Sequence, residues 1–181
     1  MSIVKTFTGK KGATGVIRRV HKDDLDEMLR YVNKLIQEDT YVLISGKPVT
    51  QEEEAKFLQN TLKEIQTKQT ITLIVEVDGT FAGIASVRRD IYRKYHVGTP
   101  GISLAAEYRG QGIGKIVFET LIDEAKKIGI RLLVLHCFEN NARGLALYES
   151  LGFKRIGVIP KAVLFKGNYI GEVDLYLPLV E

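Results

Sequence analysis

The stretch Arg109-Gly110-Gln111-Gly112-Ile113-Gly114-Lys115 is where this chain first offers chemistry. Glycine fills three of the five positions from Gly110 to Gly114, and a cation stands at each end. The apolar, strand-like Ile102-Ser103-Leu104 precedes it. From Ile113 onward, Ile116, Val117, Leu121, Ala125 and Ile128 recur at helical spacing. Strand, glycine hinge and helix N-terminus in that order make a place for an anion. The first helical turn carries unpaired N–H groups and the positive end of the macrodipole. Glycine lets the backbone come close to a phosphate, and Arg109 and Lys115 add charge.

Two common phosphate motifs do not fit. A P-loop needs G-x-x-x-x-G-K-[S/T]. Arg109 stands where its first glycine belongs, and Ile116 stands where its hydroxyl belongs. The dinucleotide fingerprint G-x-G-x-x-G also fails, because its third glycine would be Lys115 or Val117. On this stretch alone, a plain β-to-α turn that needs glycine for its geometry stays open.

The rest of the chain supplies the elements that must position the hinge. A strand is expected over Thr14 to Val20, then a helix over 24–37 with Asp23 as its N-cap. Thr50-Gln51-Glu52-Glu53 is a capping box that opens a second helix running to Gln66. Thr70 to Val77 and Thr80 to Asp90 read as a hairpin around Asp78-Gly79. Ile91 to Pro100 reads as irregular and Gly101 to Ala105 as a strand, with a long helix from the hinge to Gly129. Arg131 to Phe138 reads as a buried strand. A short helix capped by Asn140 or Asn141 ends at Leu151-Gly152. Phe153 to Phe165 and Tyr169 to Leu179 read as two long strands, and residues 1–12 as a polar lead-in. The fold class is α/β (α+β): a mixed, mostly antiparallel sheet with helices on its faces.

Composition narrows the function. At 181 residues one domain spanning 1–181 is expected. The net charge of +4 is scattered over short runs such as Lys10-Lys11, Arg18-Arg19, Arg88-Arg89 and Lys126-Lys127. That is not the clustered stripe of a nucleic-acid binder. It suits a cofactor carrying several phosphates. No run approaches the ~18 apolar residues of a membrane helix. The N-terminus lacks the apolar core of a signal peptide. The single cysteine cannot form an intrachain disulfide, and no Cys/His spacing suggests a metal. A cytoplasmic protein without metal, membrane or nucleic-acid partner is the expectation.

A second motif follows the strand at 131–138. It runs Asn141-Ala142-Arg143-Gly144-Leu145-Ala146-Leu147-Tyr148-Glu149-Ser150-Leu151-Gly152-Phe153. Together, R-x-x-G-x-G at 109–114 and N-x-x-A-x-x-x-Y-x-x-x-G-F at 141–153 resemble the two signatures of the GNAT superfamily of N-acetyltransferases. Gly144 departs from the usual alanine. The order of elements is similar along nearly the whole chain. The resemblance implies a GNAT fold with a six- to seven-stranded sheet, acetyl-CoA as co-substrate, and transfer of its acetyl group to an amine in a ternary complex. It implies that the strand at 102–104 parts from the strand at 131–138 and that the pantetheine arm enters the gap. Ile102, Ser103 and Leu104 would then line the arm. Arg109, Gly110, Gln111, Gly112, Ile113, Gly114 and Lys115 would hold the pyrophosphate, and Asn141 would meet the arm.

The resemblance also implies that Tyr148 is the acid for the leaving thiolate. A core-packed aromatic is the alternative reading of that residue. For the base, in some relatives that acetylate ribosomal-protein N-termini a glutamate at the position of His136 does the work, and a histidine can do the same near neutral pH, directly or through water. Glu76 and Glu139 are reserve bases. At pH 7 about one α-amine in six is neutral but only about one lysine in a thousand, so a weak base suits an α-amine better. Cys137 faces away from His136 on an alternating strand and reads as core. The acceptor site is expected at the loop after the first helix, with Glu38, Asp39 and Tyr41, and at the final hairpin from Lys161 to Tyr169. A non-catalytic acyl-CoA-binding module is the rival reading. The long C-terminal strands offer an edge for a homodimer.

Overall fold

The computed structural model describes residues 2–9 and 12–179, so the Lys10-Lys11 pair lies outside the described residues. Eight strands and four α-helices follow in the order β1 (Ile3–Thr8), β2 (Thr14–Arg19), α1 (Leu25–Glu38), α2 (Gln51–Gln66), β3 (Thr70–Val77), β4 (Thr80–Arg89), β5 (Val97–Leu104), α3 (Ile113–Lys127), β6 (Leu132–Phe138), α4 (Ala142–Ser150), β7 (Lys154–Phe165) and β8 (Asn168–Pro178). The strands form one sheet in the order β1-β2-β3-β4-β5-β6-β8-β7. Every neighbouring pair is antiparallel except β5 with β6.

Alternation along the strands feeds two cores. Ile17, Leu73, Val75, Leu133 and Leu135 turn to one face, where Val117, Phe118 and Leu121 of α3 and Leu145 of α4 cover them. Ile74 turns to the other face, under Met28 of α1 and Leu58 of α2. At the entrance to α1, the guanidinium of Arg18 is buried and reaches Asp24 at 2.8 and 2.9 Å and Glu76 at 2.7 Å. This pins the start of α1 to the sheet. The expected cap Asp23 is displaced: His21 caps a 3-10 turn over Lys22–Asp24, and α1 follows it.

Two elements differ from the sequence reading. The polar lead-in contains β1, so the sheet has eight strands rather than six or seven. Only Val4 and Phe7 of β1 are shielded, and Phe7 lies so close over Gly15 that no Cβ would fit there. The strand rests on Val4 and Phe7 against the core and on edge pairing, which polarity conceals. β5 begins at Val97, inside the segment read as irregular. Gly98, Pro100 and Gly101 are weak strand formers. Pairing to β4 from Gly98 to Leu104 overrides them.

The parallel seam is short. β5 and β6 pair only at Val97 with Leu132 and at Gly98 with Leu133, and beyond that they part. Ala105 donates to the Ala82 carbonyl and Asp90 to the Val97 carbonyl, so the odd residues of β5 turn their backbone groups to β4. The even residues Ile102 and Leu104 therefore turn theirs into the gap. Pro100 shares that side and has no N–H to leave unpaired. At the far edge β7 bulges, with Pro160, Lys161 and Ala162 opposite Gly171 alone. No helix among the described residues is long and apolar enough to cross a membrane.

Candidate active site

The gap between β5 and β6 opens into a pocket of about 480 Å³, within the range of small-molecule sites. Five segments build it. Ile102, Ser103 and Leu104 of β5 form one wall. The hinge and first turn of α3 contribute Arg109, Gly110, Gly112, Gly114 and Lys115. Asn141, Arg143, Gly144, Leu147 and Tyr148 come from α4 and its entry, and Glu38 to Val42 from the loop after α1. Phe165 and Lys166 at the β7–β8 turn close the far side.

The hinge has the form expected of an anion cradle. Gly110 and Gly112 adopt φ values of 74° and 82°, which a side chain would strain. Gly112 caps α3 without a side-chain hydrogen bond, and the first turn holds no acidic residue. Lys115 sits in that turn, where its charge opposes the macrodipole unless an anion occupies the helix end. Arg143 adds a second cation to the same pocket.

Asn141 caps α4: its Oδ1 accepts from the Gly144 N–H at 3.0 Å. A Cβ on residue 144 would stand 2.5 Å from the Asn141 amide nitrogen, so the glycine leaves room for the cap. Tyr148 packs its ring against Phe118 and Phe153, with centroids 5.4 and 5.9 Å away, yet lines the pocket. Burial pushes its phenol well above the ordinary tyrosine range. The packing and pocket-facing readings of this residue hold together.

Several expected residues are placed elsewhere. Ile113 is buried in the core, and Gln111 turns its amide to the Glu107 carbonyl at 2.5 Å; neither lines the pocket. Arg109 lines it, but its guanidinium does not face the hinge. Its Nε donates to the Leu104 carbonyl at 2.7 Å and its terminal nitrogens pair with Glu38. Glu76 is held by Arg18, and the Glu139 carboxylate accepts the Gly171 N–H that the β7 bulge leaves free, at 3.2 Å. Both reserve bases thus have structural partners.

His136 is exposed on the opposite face of β6 from the buried Cys137, and it does not line the pocket. Its Nδ1 is 2.7 Å from Asp174 Oδ1, across the β6–β8 pair. A carboxylate accepts, so the pair fixes the proton on Nδ1, and only in the neutral ring is Nε2 an acceptor. Glu172 brings a third ligand-type atom within 4.8 Å. Burial pushes the Cys137 thiol up to about 11, which suits a core residue and not a nucleophile.

Arg143, Leu147, Phe165 and Lys166 were not named from sequence as site residues. Arg143 and Leu147 lie inside the second motif, and Phe165 and Lys166 inside the hairpin expected at the acceptor site, so only their orientation was hidden.

A mixed sheet that parts at its one parallel pair, beside a glycine hinge entering a helix, defines the acyl-CoA-type acetyltransferase fold. The chain belongs to the Acetyltransferase (GNAT) family, whose pattern matches residues 30–153. It is similar to the ribosomal protein bS18-alanine N-acetyltransferase of Escherichia coli (strain K12), 46% identical over 52 residues. That match covers 29% of this chain and 35% of the relative, so the chain spans about a third of the length of the first curated relatives it matches. It is also similar to the N-alpha-acetyltransferase RimI of Mycobacterium tuberculosis, 36% identical over 78 residues, covering 43% of this chain and 46% of the relative. Among solved structures, the ribosomal-protein-alanine N-acetyltransferase of Brucella melitensis superposes with a TM-score of 0.80 at 23% identity, covering 90% of this chain and 98% of that one. RimL, a ribosomal L7/L12 alpha-N-protein acetyltransferase in complex with coenzyme A, gives a TM-score of 0.83 at 19% identity over 98% of each chain.

Proposed function

We propose that the protein is an acetyl-CoA-dependent N-acetyltransferase that acts on an α-amine, with the chain working as one domain in the cytoplasm. The observation that carries the reading is the parting of β5 from β6 after Gly98, directly beside the uncapped start of α3. The gap leaves the N–H and C=O groups of Ile102 and the N–H of Leu104 without a strand partner, the Leu104 carbonyl being taken by Arg109, and an amide-bearing arm satisfies them as an added strand would. Backbone N–H groups of 110–115, with Lys115 and Arg143, suit a pyrophosphate at the other end. The N-terminal substrates in the names of the relatives support an α-amine acceptor.

In this reading the neutral amine attacks the thioester carbonyl carbon, the C–S bond breaks, and the thiolate leaves. Tyr148 keeps its proton at working pH and donates a hydrogen bond, or the proton itself, to sulfur. The amine proton passes to solvent or, through water, to His136, which is exposed outside the pocket lining. An α-amine needs little help, since a substantial fraction of it is already neutral near pH 7. The test is thiol release from acetyl-CoA with an alanine-starting peptide, a lysine peptide and spermidine as acceptors. Turnover with the first and little with the others is expected. Thermal stabilisation by acetyl-CoA without turnover on any amine would favour the non-catalytic binding module.

A further inference from the structure

The connection after α1 crosses the mouth of the pocket and is fastened on both sides. Glu38 ends α1, and Asp39 turns the chain through the left-handed region at φ 49°. The Glu38 carboxylate takes both terminal nitrogens of Arg109, one of them at 2.8 Å. One turn back, Lys34 reaches Glu107 at 2.8 Å. On the far side, Tyr41 stacks on Phe165 with centroids 5.0 Å apart and stands edge-on to Phe138 at 6.0 Å. The Tyr41 hydroxyl donates to the Asn140 carbonyl at 3.4 Å. Residues 38–41 therefore form a strap between the hinge before α3 and the strands beyond the gap.

Arg109 is committed to this strap. Its fork is spent on the Glu38 carboxylate and its Nε on the Leu104 carbonyl, so its charge is largely neutralised before any phosphate arrives. A planar fork against a carboxylate fixes direction as well as distance, which a lysine would not do. A guanidinium kept for pyrophosphate would instead face the hinge backbone.

We propose that Arg109 and Glu38 are positioning residues for the amine acceptor: they fasten the strap so that Tyr41, Phe138 and Phe165 form the acceptor's wall, while acetyl-CoA affinity rests on the hinge and Lys115. The proposal builds on the acetyltransferase reading. It makes the arginine of the first motif a bridge between the two substrate sites.

The test compares wild type with Glu38→Gln, Arg109→Gln and the double variant. Calorimetry gives the acetyl-CoA dissociation constant. Hydrogen exchange reports the amides of 39–42, and steady-state kinetics use the best amine of the panel. Both single variants are expected to bind acetyl-CoA within threefold of wild type. Acceptor KM rises about tenfold, kcat stays within threefold, and the strap amides exchange faster. The double variant should be no worse than Arg109→Gln, because the ion pair is already lost in that single variant, which also gives up the bond to the Leu104 carbonyl. A tenfold or greater loss of acetyl-CoA affinity in Arg109→Gln but not in Glu38→Gln would overturn the proposal, as would unchanged KM and strap exchange in Glu38→Gln. Should Arg109→Gln not fold, Glu38→Gln alone decides. A wild type that binds no acetyl-CoA would sink the acetyltransferase reading by itself, while strap exchange in Glu38→Gln still reports on the ion pair.

Discussion

In the proposed mechanism Tyr148 joins packing and chemistry in one side chain. Its ring is fixed by Phe118 and Phe153, and burial raises its phenol. A raised pKa keeps the proton on the phenol at neutral pH. Tyr148→Phe is expected to lower kcat about 100-fold and leave acetyl-CoA affinity unchanged. The wild-type pH–rate profile should show no falling limb from this residue below about pH 10, the ordinary tyrosine value; a limb near pH 9 that disappears in the variant would mean that burial does not raise this phenol. Tyr31 is the converse case. It is 6% exposed, burial holds its hydroxyl at about 12, and the oxygen beside Ser103 makes no hydrogen bond among the described residues. An unpaired buried hydroxyl costs about 1–3 kcal/mol. Tyr31→Phe keeps the ring contact with Phe81 at 5.1 Å and is expected to raise Tm by roughly 2–6 °C in a scanning-calorimetry trace. Sequence could name Tyr148 because its motif fixes its register. It could not name Tyr31, whose condition depends on what α1 meets across the sheet.

At the scale of elements, helix signals were the most legible. The box at Thr50 and Glu53 caps α2 as the spacing requires, with Thr50 N–H to Glu53 at 2.8 Å. Asn141 and Gly152 bound α4 as read. Strands whose stability comes from a neighbour were not legible: β1 rests on Val4 and Phe7 against the core, and the first half of β5 on β4. In the first turn of α2, Glu54 is 6% exposed, and burial raises its carboxyl above the ordinary range. The folded state holds that proton more tightly than the unfolded state does. Stability from this group is thus present below the ordinary glutamate pKa and lost as pH rises through the folded value. Glu54→Gln is expected to raise Tm by a few degrees at pH 8, with the gain shrinking towards pH 4. A gain that does not change with pH would mean the carboxylate is not the source of the cost. The site residues divide along the same line. Backbone positions at 102–104 and 110–115 follow from the motif, whereas the direction of the Arg109 fork depends on Glu38, 71 positions away in the chain.

For the whole molecule, the seam between β5 and β6 has a consequence for how the fold is reached. Only two residue pairs join the half-sheet β1–β5 to the half-sheet β6–β8–β7. Within each half most neighbours are hairpins close in sequence, the exceptions being β2 with β3 and β6 with β8, so most of their loops close at low entropic cost. The halves are then expected to meet late in folding, across α3 and this narrow join. Leu133, fully buried at the seam, is the place to test it. Leu133→Ala is expected to cost roughly 2–5 kcal/mol. Nearly all of that loss should appear as faster unfolding, with the refolding arm of the chevron unmoved. Slower refolding would instead put the seam in the folding nucleus. The opening that admits a ligand would on this account also be the last joint to set, and the first to give.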